Sequence, residues 1–220
     1  MWILRYICFI GSFISLAFSP AGPIDSPWVL KKDKDGIKVF IRNKPGSSLK
    51  DIRVISTLES TMGGVVHMLT SKEDYKTWIY ACSESYLVKE VGFLETYHYQ
   101  VTAAPWPVED RDLVLHTIVR QDEKTGIVDM VVKNATGVLP EYKGKVRVPY
   151  YDARWIIRPV ENNMIEVDYT ISLDPGGNIP VWVINMAISD GPLKTMQNFR
   201  TRLELYKDMR LPMILEKGSQ

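Results

Sequence analysis

The clearest pattern in the chain is the alternation over residues 164–173. Ile165, Val167, Tyr169, Ile171 and Leu173 share one side, and Glu166, Asp168, Thr170 and Ser172 share the other. Successive strand side chains point to opposite faces, so this segment predicts a strand covered on one face and wet on the other. Further strands are expected at 37–42, between Asp35-Gly36 and Pro45-Gly46, and at 49–58. Segments 83–91 and 95–103 flank Gly92, and 112–120 and 126–133 flank the turn Asp122-Glu123-Lys124-Thr125. The last hairpin joins one long strand, 146–158, to 164–173. Tyr97, Tyr99 and Val101 repeat the one-sided pattern and are expected on the covered face. Short turns between successive strands mean an antiparallel sheet.

The helical signals are fewer. Segments 61–69 and 71–79 suit two short helices, and Ser71 with Asp74 has the spacing of a capping box. A long amphipathic helix is expected over 180–209, entered through Asp174-Pro175-Gly176-Gly177. It would span roughly 40 Å at 1.5 Å per residue. Val181, Ile184, Ile188, Met196, Phe199, Leu203 and Tyr206 fall near one face, and Gly191-Pro192 should kink it, because proline lacks the donor. Strands, two short helices, many strands and one long helix make an α+β fold, a curved antiparallel sheet closed by the final helix.

Composition narrows the function. Hydrophobic residues are 45% and charged residues 24% of 220, so one globular domain with a sizeable core is expected. Lys+Arg 27 against Asp+Glu 26 gives a net charge of +1, with no clustered basic excess for nucleic acid. The mixed run Lys31-Lys32-Asp33-Lys34-Asp35 is expected to be a solvated turn. Residues 1–21 have the order of a secretory signal peptide: Arg5, an apolar run from Ile7 to Phe18, then Ser19-Pro20-Ala21. The mature domain would be 22–220, exported to a periplasm or secreted, and monomeric. It would keep Cys82 alone, so no internal disulfide could form.

No motif for catalysis stands out. The histidines are His67, His98 and His116, and no His-Glu-x-x-His, Cys-x-x-Cys, Gly-x-Ser-x-Gly or phosphate-cradling glycine loop is present. No metal or other cofactor is expected. His98 and His116 read best as partly buried polar residues. In the alternative of a cavity-based enzyme, such as a cyclase or hydrolase, they would be the acid and base. A protein-interaction module with its cavity packed shut is the third reading.

Four runs together resemble the StAR-related lipid-transfer (START) domain family. Trp28-Val-Leu-Lys-Lys-Asp-Lys-Asp-Gly-Ile-Lys-Val-Phe-Ile-Arg42 is similar to its opening, and Tyr75-Lys-Thr-Trp78 to its Tyr-[Lys/Arg]-x-Trp helix. Pro105-Trp-Pro-Val-Glu-Asp-Arg-Asp112 resembles the Pro-[Trp/Phe]-Pro-x-x-x-Arg-Asp connection. Pro175-Gly-Gly-Asn-Ile-Pro-Val-Trp-Val-Ile-Asn185 resembles the approach to the last helix. The resemblance spans nearly the whole mature chain. It implies the helix-grip (START / Bet v 1-like) fold, with an internal apolar cavity that binds a lipid or other apolar small molecule without catalysis. Motion at Gly191 and Pro192 would admit the ligand.

The chain departs from the family pattern in two places. Ile79 stands where many members carry Asp after the helix Trp, which argues against a phosphocholine-type site. His98, Gln100, His116 and Thr117 stand roughly where sterol binders carry a buried carboxylate and Arg, which favours a neutral or weakly polar ligand. The cavity candidates are Trp78, Tyr97, His98, Tyr99, Gln100, His116, Thr117, Trp155, Tyr169, Ile171, Met186, Met196 and Phe199. Singly, each of these aromatics is as well explained as core. Arg111 and Asp112 are expected to cross-link loops through charge-assisted hydrogen bonds or, as the alternative, to contact a head group. Trp182, near the helix start, is expected to be buried, with transient membrane contact as its other reading.

Overall fold

Strand β10 (Met164–Asp174) sits in mid-sheet, paired antiparallel with β3 (Lys50–Glu59) and β9 (Tyr150–Val160). Its alternation is the one the sequence displays, with Ile165 and Val167 in the core and Glu166 half-exposed. In the computed structural model, which describes residues 26–44 and 49–217, ten strands form one sheet. The remaining strands are β1 (Val29–Lys34), β2 (Ile37–Asn43), β4 (Cys82–Gly92), β5 (Glu95–Thr102), β6 (Asp110–Gln121), β7 (Val128–Asn134) and β8 (Lys145–Arg147). The order is β1-β2-β3-β10-β9-β7-β6-β5-β4, with β8 beside β6. The helices are α1 (Met62–Thr70), α2 (Tyr75–Trp78) and α3 (Val181–Leu203). Helix α3 lies in the concave side of the sheet, so the fold is the α+β helix grip. The expected leader, residues 1–21, and the Pro45-Gly46 turn lie outside the described residues.

Several elements differ from expectation. Lys31, Lys32, Asp33 and Lys34 are strand rather than turn. Strand β1 is an edge, mostly exposed on both faces, so it carries no apolar alternation to read, and its charges guard the open edge. The expected strand 146–158 is two strands. Pro149 supplies no N–H, and before it β8 runs parallel to β6. Segment 71–79 is a 3-10 turn, Lys72–Asp74, followed by one turn of α2. No capping box forms there, because Ser71 Oγ donates back to His67 O at 2.9 Å while Asp74 is held by Arg202 and Tyr206.

The final helix stops at Leu203, short of 209. Beyond it the chain turns onto the start of α1: Thr61 N donates to Lys207 O at 2.7 Å, and Thr61 Oγ1 caps α1 by accepting from Gly64 N. Glu216 adds a second cap, accepting from Met62 N and Gly63 N at 2.8 Å each. Gly63 permits this approach, since a Cβ there would lie 2.7 Å from Met209 O. Helix α3 is continuous through Gly191 and Pro192. Its C-terminal half is core: Met196, Phe199 and Leu203 are buried, and the Phe199 ring meets Trp78 edge-on at 4.9 Å. Burying a Phe or Leu side chain contributes about 1.5–3 kcal/mol.

Candidate functional site

The core does not fill the space under α3. A cavity of about 280 Å³ remains between the sheet, α2 and the N-terminal half of α3. Strand β5 lines it with His98, Gln100 and Thr102, and β6 with Arg111, Leu113 and Leu115. Strands β9 and β10 contribute Tyr151, Trp155, Tyr169 and Ile171. Tyr75 and Trp78 come from α2, while Val183, Met186, Ala187, Gly191, Pro192 and Thr195 come from α3.

Of the sequence candidates, Trp78, His98, Gln100, Trp155, Tyr169, Ile171 and Met186 therefore come together around one space, with Gly191 and Pro192 in its wall. Met196 and Phe199 pack in the adjoining core, not on the cavity wall. Thr117 is buried on the inward side of β6, opposite Thr96, beyond the lined space. Tyr97, Tyr99 and His116 face the other way. Strand β5 presents its polar side inward, and its aromatic side forms a second cluster. There Tyr99 packs with Val101, Val114 and Tyr86, while Tyr97 stacks on His116 at 4.3 Å. His116 Nε2 is 2.9 Å from Glu95 Oε1.

Arg111 joins two loops, whereas Asp112 joins β6 to β8. Asp112 is fully buried and paired bidentately with Arg147, at 3.0 and 2.9 Å. The Arg111 guanidinium borders the cavity and donates to three carbonyls, Glu109 O, Pro175 O and Gly176 O. This ties the β5–β6 loop to the loop before α3. Gly176 and Gly177 both have positive φ, 65° and 63°, a path that a side chain would strain. Desolvation lowers the Arg111 pKa.

Two exposed tryptophans flank these loops. Trp106 is 90% exposed beside Pro105, and Trp182 is 54% exposed, not buried, on the first turn of α3. Their neighbours Pro105 and Val183 line the cavity.

The polar groups around the cavity are largely uncharged. Burial, and then the nearby Lys72 charge, push His98 well below its ordinary pKa, so its ring is neutral. Desolvation raises the pKa of Tyr75, Tyr151 and Tyr169. The Cys82 thiol is pushed up to about 11 by burial, which leaves it protonated and unreactive at neutral pH. Lys72 was invisible to sequence reasoning. It is 1% exposed behind Tyr75, and desolvation holds it down to about 7.

A single α+β domain whose sheet grips a helix over an apolar void defines a helix-grip protein with an internal site. The sequence model of the START domain matches residues 25–208, and the chain belongs to that family. Protein PA1579 of Pseudomonas aeruginosa is 32% identical over 202 residues, 91% of this chain and 99% of that protein. Bovine phosphatidylcholine transfer protein is 27% identical over 187 residues, 82% and 85% of the two chains. Among solved structures, the STAR-related lipid transfer protein of Xanthomonas axonopodis superimposes with a TM-score of 0.74 at 34% identity. That match covers 80% of this chain and 98% of the other. Human STARD10 shares the fold, with a TM-score of 0.70 at 17% identity, over 81% and 74% of the two chains.

Proposed function

We propose that this protein binds a lipid-like ligand in the cavity beneath α3 and carries or senses it without chemical change. The observation that carries the reading is the void itself, about 280 Å³ and mainly apolar, roofed by a half-exposed stretch of helix. Moving an apolar chain from water into it is worth about 25 cal/mol per Å² buried. Relatives named for lipid transfer support the same class of ligand.

Loading requires the roof to open. Pro192 offers no N–H to the carbonyl of Ile188, and Gly191 bears no side chain, so this is the natural hinge. Trp106 and Trp182 support transient membrane contact, because indoles favour the boundary between lipid and water. The leader pattern supports export, with the monomeric domain working in a periplasm or outside the cell. The competing enzyme reading would rest on His98, which borders the cavity; it predicts a chemically altered ligand.

The test is native mass spectrometry of protein beginning at Gly22, purified in the presence of membranes and then extracted with solvent. The expected result is one extractable lipid per chain. A clean apo mass that persists after incubation with vesicles of phosphatidylcholine, sterol and palmitic acid would overturn the reading.

A further inference from the structure

Two polar groups on the cavity wall are buried without a hydrogen-bond partner, and a third buried group close by has hydrogen bonds but no ion pair. The Nε1–H of Trp78 and the Nδ1 of His98 are buried with no hydrogen-bond partner among the described residues. Both rings border the cavity, and both meet the Tyr75 ring edge-on, at 5.1 and 5.4 Å. The third group is the Lys72 ammonium. Its hydrogen bonds go to Leu69 O at 3.1 Å and Tyr75 Oη at 2.8 Å, and no carboxylate among the described residues is ion-paired with it. A buried cation with only neutral partners costs several kcal/mol.

The chemistry of these groups points one way. An indole N–H and an ammonium can only donate, and a neutral imidazole can carry its proton on Nδ1. Two rings that border the cavity, each with an unpartnered nitrogen, and a buried ammonium without a countercharge behind Tyr75 call for a ligand group rich in lone pairs. A hydroxyl or ketone would answer one or two donors but leave the cation uncompensated. Size adds a second constraint. At about 280 Å³ the cavity is just below the usual 300–1,000 Å³ of ligand pockets, room for one chain rather than two.

We propose that the ligand is a single-chain amphiphile with an oxyanionic head, a carboxylate or a phosphate monoester, received by Trp78 and His98 with Lys72 as the countercharge. This rests on the carrier reading and adds a head group to it. It departs from the neutral ligand that His98, Gln100, His116 and Thr117 favour in the sequence, because the structure adds a buried Lys72 behind Tyr75. Lys72 is a positioning residue: it stands behind Tyr75 and acts through that hydroxyl and through its field. An incoming anion favours the ammonium, so binding takes up a proton where free Lys72 is neutral. The titratable groups around it are Glu73 beside it, Tyr75 on α2 and His98 on β5, with Tyr151 and Tyr169 beyond Tyr75.

The test is calorimetric titration with palmitate, hexadecyl phosphate, hexadecanol and phosphatidylcholine vesicles, at about pH 8 in two buffers of different ionisation enthalpy. One of the two anions should bind at least about tenfold tighter than the alcohol, with proton uptake. Whichever is tighter identifies the head group. Lys72→Met should weaken the anion more than the alcohol and abolish the proton uptake. Trp78→Phe, which removes only the donor and some ring area, should shift selectivity the same way and serves if Lys72→Met fails to fold. Equal affinity for anion and alcohol, or unchanged selectivity in both variants, would overturn the proposal while leaving the carrier reading standing. Failure of all four probes to bind would overturn both.

Discussion

The two halves of α3 are built differently. In the C-terminal half, Phe199 is 0% exposed between Trp78 and Trp155. Arg200 reaches Asp35 O and Ser56 Oγ, and Arg202 reaches Asp74. In the N-terminal half, Trp182, Ile184 and Ala187 are exposed, and Met186 faces the void. One half is cemented to the sheet and the other rests over empty space. Under the carrier proposal, the lesson is that the site has a wall that can leave without unfolding the rest. Local stability follows the number of buried apolar contacts, so the same helix can be anchor and lid.

The comparison is broken most sharply by truncating each half. Phe199→Ala should lower stability by about 3–5 kcal/mol in urea unfolding. Met186→Ala should cost less than about 1 kcal/mol and act mainly on ligand capacity. Equal losses would remove the distinction between the halves.

Lys72, behind Tyr75, gives the next largest effect. The Lys72 ammonium titrates near 10.5 in the unfolded chain and at about 7 when buried. Between those values the unfolded state holds a proton that the folded state lacks, so stability rises with pH through this window and is flat below it. Lys72→Met should remove that slope and raise stability near neutral pH by about 1–3 kcal/mol, read from urea midpoints across pH. A variant that keeps the slope would show that Lys72 is not its source.

Smaller effects sharpen the lid. Pro192→Ala should restore a donor inside α3, stabilise the helix by about 1 kcal/mol, and slow lipid exchange measured by stopped-flow fluorescence. Unchanged exchange would move the hinge elsewhere. Trp106→Ser and Trp182→Ser should change stability by less than about 0.5 kcal/mol, yet weaken vesicle binding in flotation assays.

The fold was legible wherever one face is wet and the other dry. Strand β10 alternates cleanly because Glu166 meets solvent while Ile165 meets the core. Strand β5 also alternates, but both its faces are covered. Tyr99 is buried outward against Tyr86 and Tyr142, while His98 and Gln100 border the cavity. Hydrophobicity alone therefore assigns Tyr97 and Tyr99 to the concave side, where the polar residues lie. The general rule that aromatics mark the core holds, but here the outer face has a small core of its own.

The candidate site divides along the same line. Trp78, Trp155, Tyr169 and Ile171 were visible from pattern and motif, and they meet around one space. Lys72 was not visible, since a lysine in the run Lys72-Glu73-Asp74 reads as solvated surface. The clue lay only in three dimensions, where the turn between α1 and α2 folds the side chain under Tyr75. The extent of α3 was overread for a related reason. Tyr206 continues the apolar period, yet its hydroxyl binds Asp74 and the chain there has already turned toward α1.

The most direct test of the central claim is backbone hydrogen exchange on protein with and without prior incubation with phosphatidylcholine vesicles containing palmitic acid. A ligand beneath the N-terminal half of α3 should slow exchange in residues 181–192 and leave 196–203, already slow, unchanged. Equal protection of both halves, or none after loading, would contradict a site roofed by that half of the helix.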